Sequence, residues 1–187
     1  MRNLPIRHIS SRLIAAAGMI SAVCSVAPAA CAATHASTAP AVAPCAGAGD
    51  LHLRIAGSHY SRASGITYYT LDFANTSGST CSLSGYPYVS MVSRAGSQLG
   101  SPAGRGLMTI APLVILAPGA TAHTTLAYYG RRVGAERGCG PVAKAFELRV
   151  YVAGQKHALY AAAPWEACSH AGQVYLSVTQ PFRKGKG

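Results

Sequence analysis

The chain of 187 residues carries sixteen Lys plus Arg against five Asp plus Glu, and half of its residues are hydrophobic. That is enough chain for one domain with a buried core. The acids Asp50, Asp72, Glu136, Glu147 and Glu166 lie far apart, which leaves a paired-carboxylate glycosidase without its two acids, and the scattered basic residues have no RNA- or DNA-binding motif around them, which argues against nucleic acid as the partner.

Arg2, Arg7 and Arg12 precede an apolar run from Leu13 to about Val26, followed by Ala27-Pro28-Ala29-Ala30-Cys31-Ala32. A basic start, a short apolar middle and an Ala-x-Ala exit describe a secretory signal peptide over residues 1–32, with cleavage after Ala32 and Ala29 as second choice. The run is too short to serve as an anchor, so no transmembrane span is expected in the mature form. Lipid attachment at Cys31 is the competing reading, weakened by Pro28 where such signals carry a branched aliphatic residue. Residues 33–44 are Ala/Pro/Thr-rich without apolar period and read as a disordered tether. A domain over 45–182 and a basic tail over 183–187 complete the division. After cleavage thirteen basic residues face the five acids, a net +8. Cys45, Cys81, Cys139 and Cys168 remain, and an even number in an exported chain reads as two disulfides. Three pairings exist; linking neighbouring segments favours Cys45–Cys81 and Cys139–Cys168. Without any Cys-x-x-Cys pair, structural zinc is a poor alternative.

Leu51, Leu53 and Ile55 alternate with polar or small residues, the period of a strand with one buried face. Gly57, Ser58, Ser61, Ser64 and Gly65 mark a loop. Tyr69, Leu71 and Phe73 alternate again until Asn75, Thr76, Ser77 and Gly78 break the run, because Asn and Ser side chains bond nearby backbone and Gly accepts positive φ. Cys81 and Leu83 form a second short run and Val89 and Met91 a third. Two tight reversals in about 20 residues favour antiparallel strands. Arg94-Ala95-Gly96-Ser97 is a turn that joins Val89–Val92 to Gln98–Leu99 as a hairpin. Residues 100–109 form an exposed Gly-rich loop. The apolar run from Ile110 to Leu116 contains Pro112 and suits an edge strand. Ala117-Pro118-Gly119-Ala120 is a type II turn by composition.

Ala122, Thr124, Leu126 and Tyr128 then alternate as a strand, and residues 130–142 make a basic loop holding Cys139. Phe146, Leu148, Val150 and Val152 alternate most cleanly. Gly154-Gln155 turns that strand into His157–Ala161; Trp165 and Cys168 lie in a connection; Val174, Leu176 and Val178 form the last strand. Seven to nine short strands separated by Gly/Pro turns predict an all-β, antiparallel two-sheet sandwich of immunoglobulin-like character, clamped by two disulfides.

No Gly-x-Ser-x-Gly, Ser-x-x-Lys or His-Glu-x-x-His occurs, so no cofactor, metal or catalytic residue is assigned. Glu147 and Asp72 fall on the solvent face of their strands, with a buried hydrogen bond as the alternative for Asp72. His52, His59, His123, His157 and His170 are scattered. Asn75-Thr76-Ser77 matches a glycosylation acceptor and reads as turn chemistry. The best candidates for partner binding are the loop arginines Arg105, Arg131, Arg132 and Arg137, with the aromatics Tyr86 and Tyr88, because loops at sandwich ends carry function. The plainer readings are solvated loops and, for these tyrosines and Trp165, core or corner packing.

Residues 45–180, with Cys45, the run Phe73-Ala74-Asn75-Thr76-Ser77-Gly78-Ser79-Thr80-Cys81-Ser82-Leu83-Ser84-Gly85-Tyr86-Pro87, then Leu116-Ala117-Pro118-Gly119-Ala120-Thr121-Ala122 and a late cysteine pair around Leu148-Arg149-Val150, resemble the actinobacterial exported domain-of-unknown-function family 4232. The resemblance implies a secreted or lipid-anchored β-sandwich and carries no activity or catalytic residues. Together these features predict a secreted or envelope-associated, non-enzymatic domain that binds or presents a surface to an envelope or anionic component. Competing readings are a polyanion-binding module using Arg131, Arg132 and residues 183–187, and an enzyme with an unfamiliar His/Asp site.

Overall fold

A computed structural model describes residues 41–106, 110–130, 141–170, 172 and 174–187. The expected signal peptide, most of the expected tether, and Arg131, Arg132, Arg137 and Cys139 lie outside the described residues. The described chain is all-β apart from a short 3-10 turn at Gly47–Gly49. In chain order the strands are β1 (Leu51–Ser61), β2 (Ile66–Asn75), β3 (Cys81–Leu83), β4 (Tyr88–Val92), β5 (Gln98–Leu99), β6 (Gly104–Arg105), β7 (Val114–Leu116) and β8 (Thr121–Tyr128). They continue with β9 (Val142–Lys144), β10 (Glu147–Tyr151), β11 (Leu159–Ala162), β12 (Glu166–Cys168), β13 (Leu176–Val178) and β14 (Arg183–Lys184).

These strands form four sheets among the described residues, not two. The largest has the order β1-β2-β8-β13-β6, with β14 also on β8; the next is β11-β10-β4-β5; β9 pairs with β12, and β3 with β7. The arrangement is not wholly antiparallel either, since β6 runs parallel to β13 through Ser177↔Gly104 and Val178↔Arg105. The alternation explains the core. Leu71, Phe73 and Leu126 from the large sheet, Phe182 just ahead of β14, and Val89, Met91, Leu148 and Val150 from the second sheet belong to one buried cluster. Phe73 and Phe182 meet edge to face at 5.0 Å, a favoured aromatic geometry.

Several segments depart from the pattern reading. The loop expected from Gly57 is strand: β1 continues to Ser61 past a register shift between Ile55 and Gly57, and its far arm pairs with β2 as far as Ser61↔Ile66. Backbone pairing holds that arm, and its side chains are largely exposed, so no apolar period announces it. Phe146 is exposed, with the Arg94 guanidinium 4.6 Å above its ring, and Ala145 is the buried residue there. Trp165 and Cys168 flank and end β12 instead of an irregular connection. The hairpin β4–β5 forms as expected, Met91 opposite Leu99.

Residues 73–87 and 116–122 meet at Asn75. Its side-chain Nδ2 donates to Ser79 O at 2.8 Å and Leu116 O at 3.0 Å, while Oδ1 accepts from the Ser77 N–H at 3.0 Å. Its backbone N–H donates to Ala120 O, and its carbonyl accepts from the Gly119 N–H, both at 2.8 Å. The amide is therefore committed to turn chemistry. Gly119 has φ 76°, as the third position of the turn closed by Ala120 N–H to Ala117 O requires.

Cys45 and Cys81 form a disulfide, as expected. It fastens the strand-like segment ahead of β1 to β3, where the Cys45 N–H donates to Ser82 O and the Ser82 N–H to Ala43 O. Cys168 is buried and is not a free thiol; the second expected pairing falls on Cys139, outside the described residues.

Candidate functional site

The expected partner residues Arg105 and Tyr88 come together. Ala103 N–H donates to Val89 O at 2.8 Å, so residues 102–105 run beside β4 before joining the large sheet as β6. This places the Arg105 guanidinium 4.4 Å over the Tyr88 ring, a cation–π distance. The contact borders a groove of about 340 Å³ lined by Tyr88, Ser90, Gln98, Pro102, Arg149 and Tyr151. Cross-strand register builds its wall: Tyr88 lies opposite Tyr151, and Ser90 opposite Arg149, alternating with the buried Val89, Leu148 and Val150. Arg149 Nη2 donates to Gln98 Oε1 at 2.9 Å. Its Nε is buried with no hydrogen-bond partner among the described residues. Tyr151 lies 6.0 Å below the same guanidinium, and Tyr160, opposite Arg149 on β11, is half exposed.

Tyr86 is not part of this groove. It packs against the core, and its hydroxyl is buried without a hydrogen-bond partner among the described residues. The Tyr86–Pro87 bond is trans. Arg131, Arg132 and Arg137 fall outside the described residues. Trp165 stacks on Tyr69 at 4.0 Å and lies 5.6 Å from Tyr128, which is packing within an aromatic cluster. Burial, then the nearby Glu166 and Tyr69 charges, push the Tyr128 hydroxyl up to about 12. Burial likewise raises Tyr69 and Tyr175.

A second polar surface covers the outer face of the large sheet. Register aligns Arg54, Asp72, His123 and Arg183 in one row across β1, β2, β8 and β14. Asp72 is on the polar face as its alternation requires, yet it is only 3% exposed. Arg54 Nη2 sits 2.8 Å from Asp72 Oδ2, and the Gly187 N–H donates to Oδ1 at 3.3 Å. Both carboxylate oxygens are thus engaged, and the buried hydrogen bond is the reading that fits. Residues 183–187 do not trail away as a tail: Arg183 and Lys184 pair with His123 and Ala122, and His123 Nδ1 lies 3.0 Å from Gly185 O. Lys186 lines a polar pocket of about 320 Å³ with His52, Arg54 and Thr121. No three His, Cys, Asp or Glu residues gather as a metal site among the described residues, nor is any described helix long and apolar enough to cross a membrane.

The sequence reading missed Arg149, Tyr151 and Gln98. A signal existed: Arg149 and Tyr151 are two apart on the polar face of the cleanest strand, as residues sharing one sheet surface must be. No curated protein and no solved structure matches the chain. The run that Asn75 ties to the 116–122 turn lies within residues 45–181, which match the family described as Domain of unknown function (DUF4232), and the chain belongs to that family.

Proposed function

We propose that this is a secreted or envelope-associated, non-enzymatic binding domain, a sandwich of immunoglobulin-like character, and that the groove beside β4 and β10 holds an anionic, ring-bearing group of an envelope component. One observation carries the reading: Tyr88, Arg149 and Tyr151 from two paired strands line a single groove, and Arg105, delivered from the large sheet, stacks on the Tyr88 ring at its border. Tyrosine faces supply flat apolar area for a ring, and guanidinium forks match a carboxylate in geometry and charge. The surrounding polar atoms are few, as in small-ligand sites generally. The engagement of both Asp72 oxygens further supports a binding role over a His/Asp enzyme.

Calorimetric titration with a uronic-acid oligosaccharide and its neutral counterpart tests this. The acidic ligand alone should bind, more weakly at high salt, and Tyr88→Ala or Arg149→Met should each abolish measurable binding. Equal affinity for the neutral sugar, or binding untouched by both substitutions, refutes the assignment.

A further inference from the structure

We propose that residues 110–115, together with the strand Arg183–Lys184, form a surface that seats on a lipid bilayer carrying anionic headgroups. Ile110 is 95% exposed and Leu113 65%, the two most exposed aliphatic side chains among the described residues, and Ile115 is a further 37% exposed. Large aliphatic groups standing in water at one spot mark an interaction surface. They sit just ahead of and on β7, which pairs on one side with β3 alone. A groove of about 580 Å³ continues from Leu113 and Ile115 to His123, Arg183 and Lys184, and no acid lines it. The two cations are not on a loose end; their backbone is fixed against β8.

The chemistry selects the occupant. An apolar tip beside fixed cations supplies the two signals that interfacial attachment combines, insertion among acyl chains and attraction to anionic headgroups. A stable protein partner would bury about 800 Å² on each side, far more than a tip of two or three aliphatic side chains offers. An exclusively electrostatic ligand, such as a soluble polyanion, leaves Ile110 and Leu113 unexplained. The surface is separate from the groove of Tyr88 and Arg149, so either can fail without the other.

Co-sedimentation with vesicles of mixed phosphatidylglycerol and phosphatidylcholine, against phosphatidylcholine alone, tests the proposal on the full chain after signal removal. Binding should require phosphatidylglycerol and fall steeply with salt. Each of Arg183→Gln and Lys184→Gln should weaken it about fivefold. Ile110→Ser/Leu113→Ser should reduce it by at least tenfold while leaving uronic-acid binding unchanged. A Leu113→Trp variant should show blue-shifted emission and quenching by brominated lipid only on the anionic vesicles. Equal binding to both vesicle types, or full binding by the double serine variant, overturns the proposal. Concentration-dependent dimerisation abolished by the double serine variant also overturns it, because a second copy would then cover the tip.

Discussion

The Cys45–Cys81 bond should account for a large share of the domain's stability. The two cysteines are buried and 36 residues apart in sequence. In the chain-entropy treatment, closing a loop of that length removes about 13 cal/mol/K from the unfolded ensemble, or about 4 kcal/mol at room temperature. A domain of this size has about 5–15 kcal/mol in total, so the loss approaches the margin of folding. The perturbation is Cys45→Ala/Cys81→Ala, made as a pair so that no buried thiol is left free to exchange with Cys168. Urea unfolding followed through Trp165 fluorescence is the assay. With a slope of about 2 kcal/mol per molar urea, the midpoint should fall by about 2 M. Replacing sulfur by hydrogen also removes packing at two buried positions, which adds to the loss. A drop of less than about 1 kcal/mol would refute the reasoning. It would show that the hydrogen bonds of Cys45 and Ser82 hold the segment ahead of β1 by themselves.

Three further outcomes follow from the packing and the ionisation. Phe182→Ala should cost about 3–5 kcal/mol, because a fully buried ring in contact with Phe73 is removed; an unchanged melting temperature would mean that the last strand is not integral to the core. Asn75→Ala should cost about 2–4 kcal/mol, since it leaves buried Leu116 O and its neighbours short of partners, and Asn75→Asp should rescue little because the Nδ2 donors are still lost, both checked by urea unfolding. For Tyr128 the folded value, about 12, lies above the ordinary 10. The stabilisation from the neutral phenol is therefore intact below pH 10 and disappears as pH rises through about 12. Tyr128→Phe should flatten the alkaline fall in stability over that window, with Tyr69 and Tyr175 supplying what persists; an unaltered profile would count against burial as the cause.

What the residues disclosed and what they hid follows one physical distinction. Strands β2, β8 and β10 were legible because one face of each is buried, so Leu71, Phe73, Ala122, Leu126, Leu148 and Val150 mark a period of two. The turn at Gly119 was legible because Pro118 and Gly119 have few other uses side by side. Strands of two or three residues, such as β6, β12 and β14, are defined by backbone pairing, and two or three side chains hold no period. The far arm of β1 has the same difficulty on a longer scale. Asp72 shows a different limit. Alternation gave its face correctly but not its burial, which depends on Arg54 reaching across from β1 and on residue 187 returning over it. The groove was half visible: Tyr88 and Arg105 were candidates from type and setting. Their contact depends on one backbone hydrogen bond between Ala103 and Val89, which no local pattern encodes.

The run from residue 71 to 92 distributes its three strands among three different sheets: β2 joins β1 and β8, β3 joins β7, and β4 joins β5 and β10. Of the pairings these three strands make, only the β1–β2 and β4–β5 hairpins are local in sequence. Sealing β3 against β7 must wait for a stretch more than thirty positions later, and β4 for one nearer sixty. Distant pairings of that kind put maturation on the slow end of the scale, milliseconds to seconds. Until β7 is made, β3 and the cysteine it carries have no sheet to join.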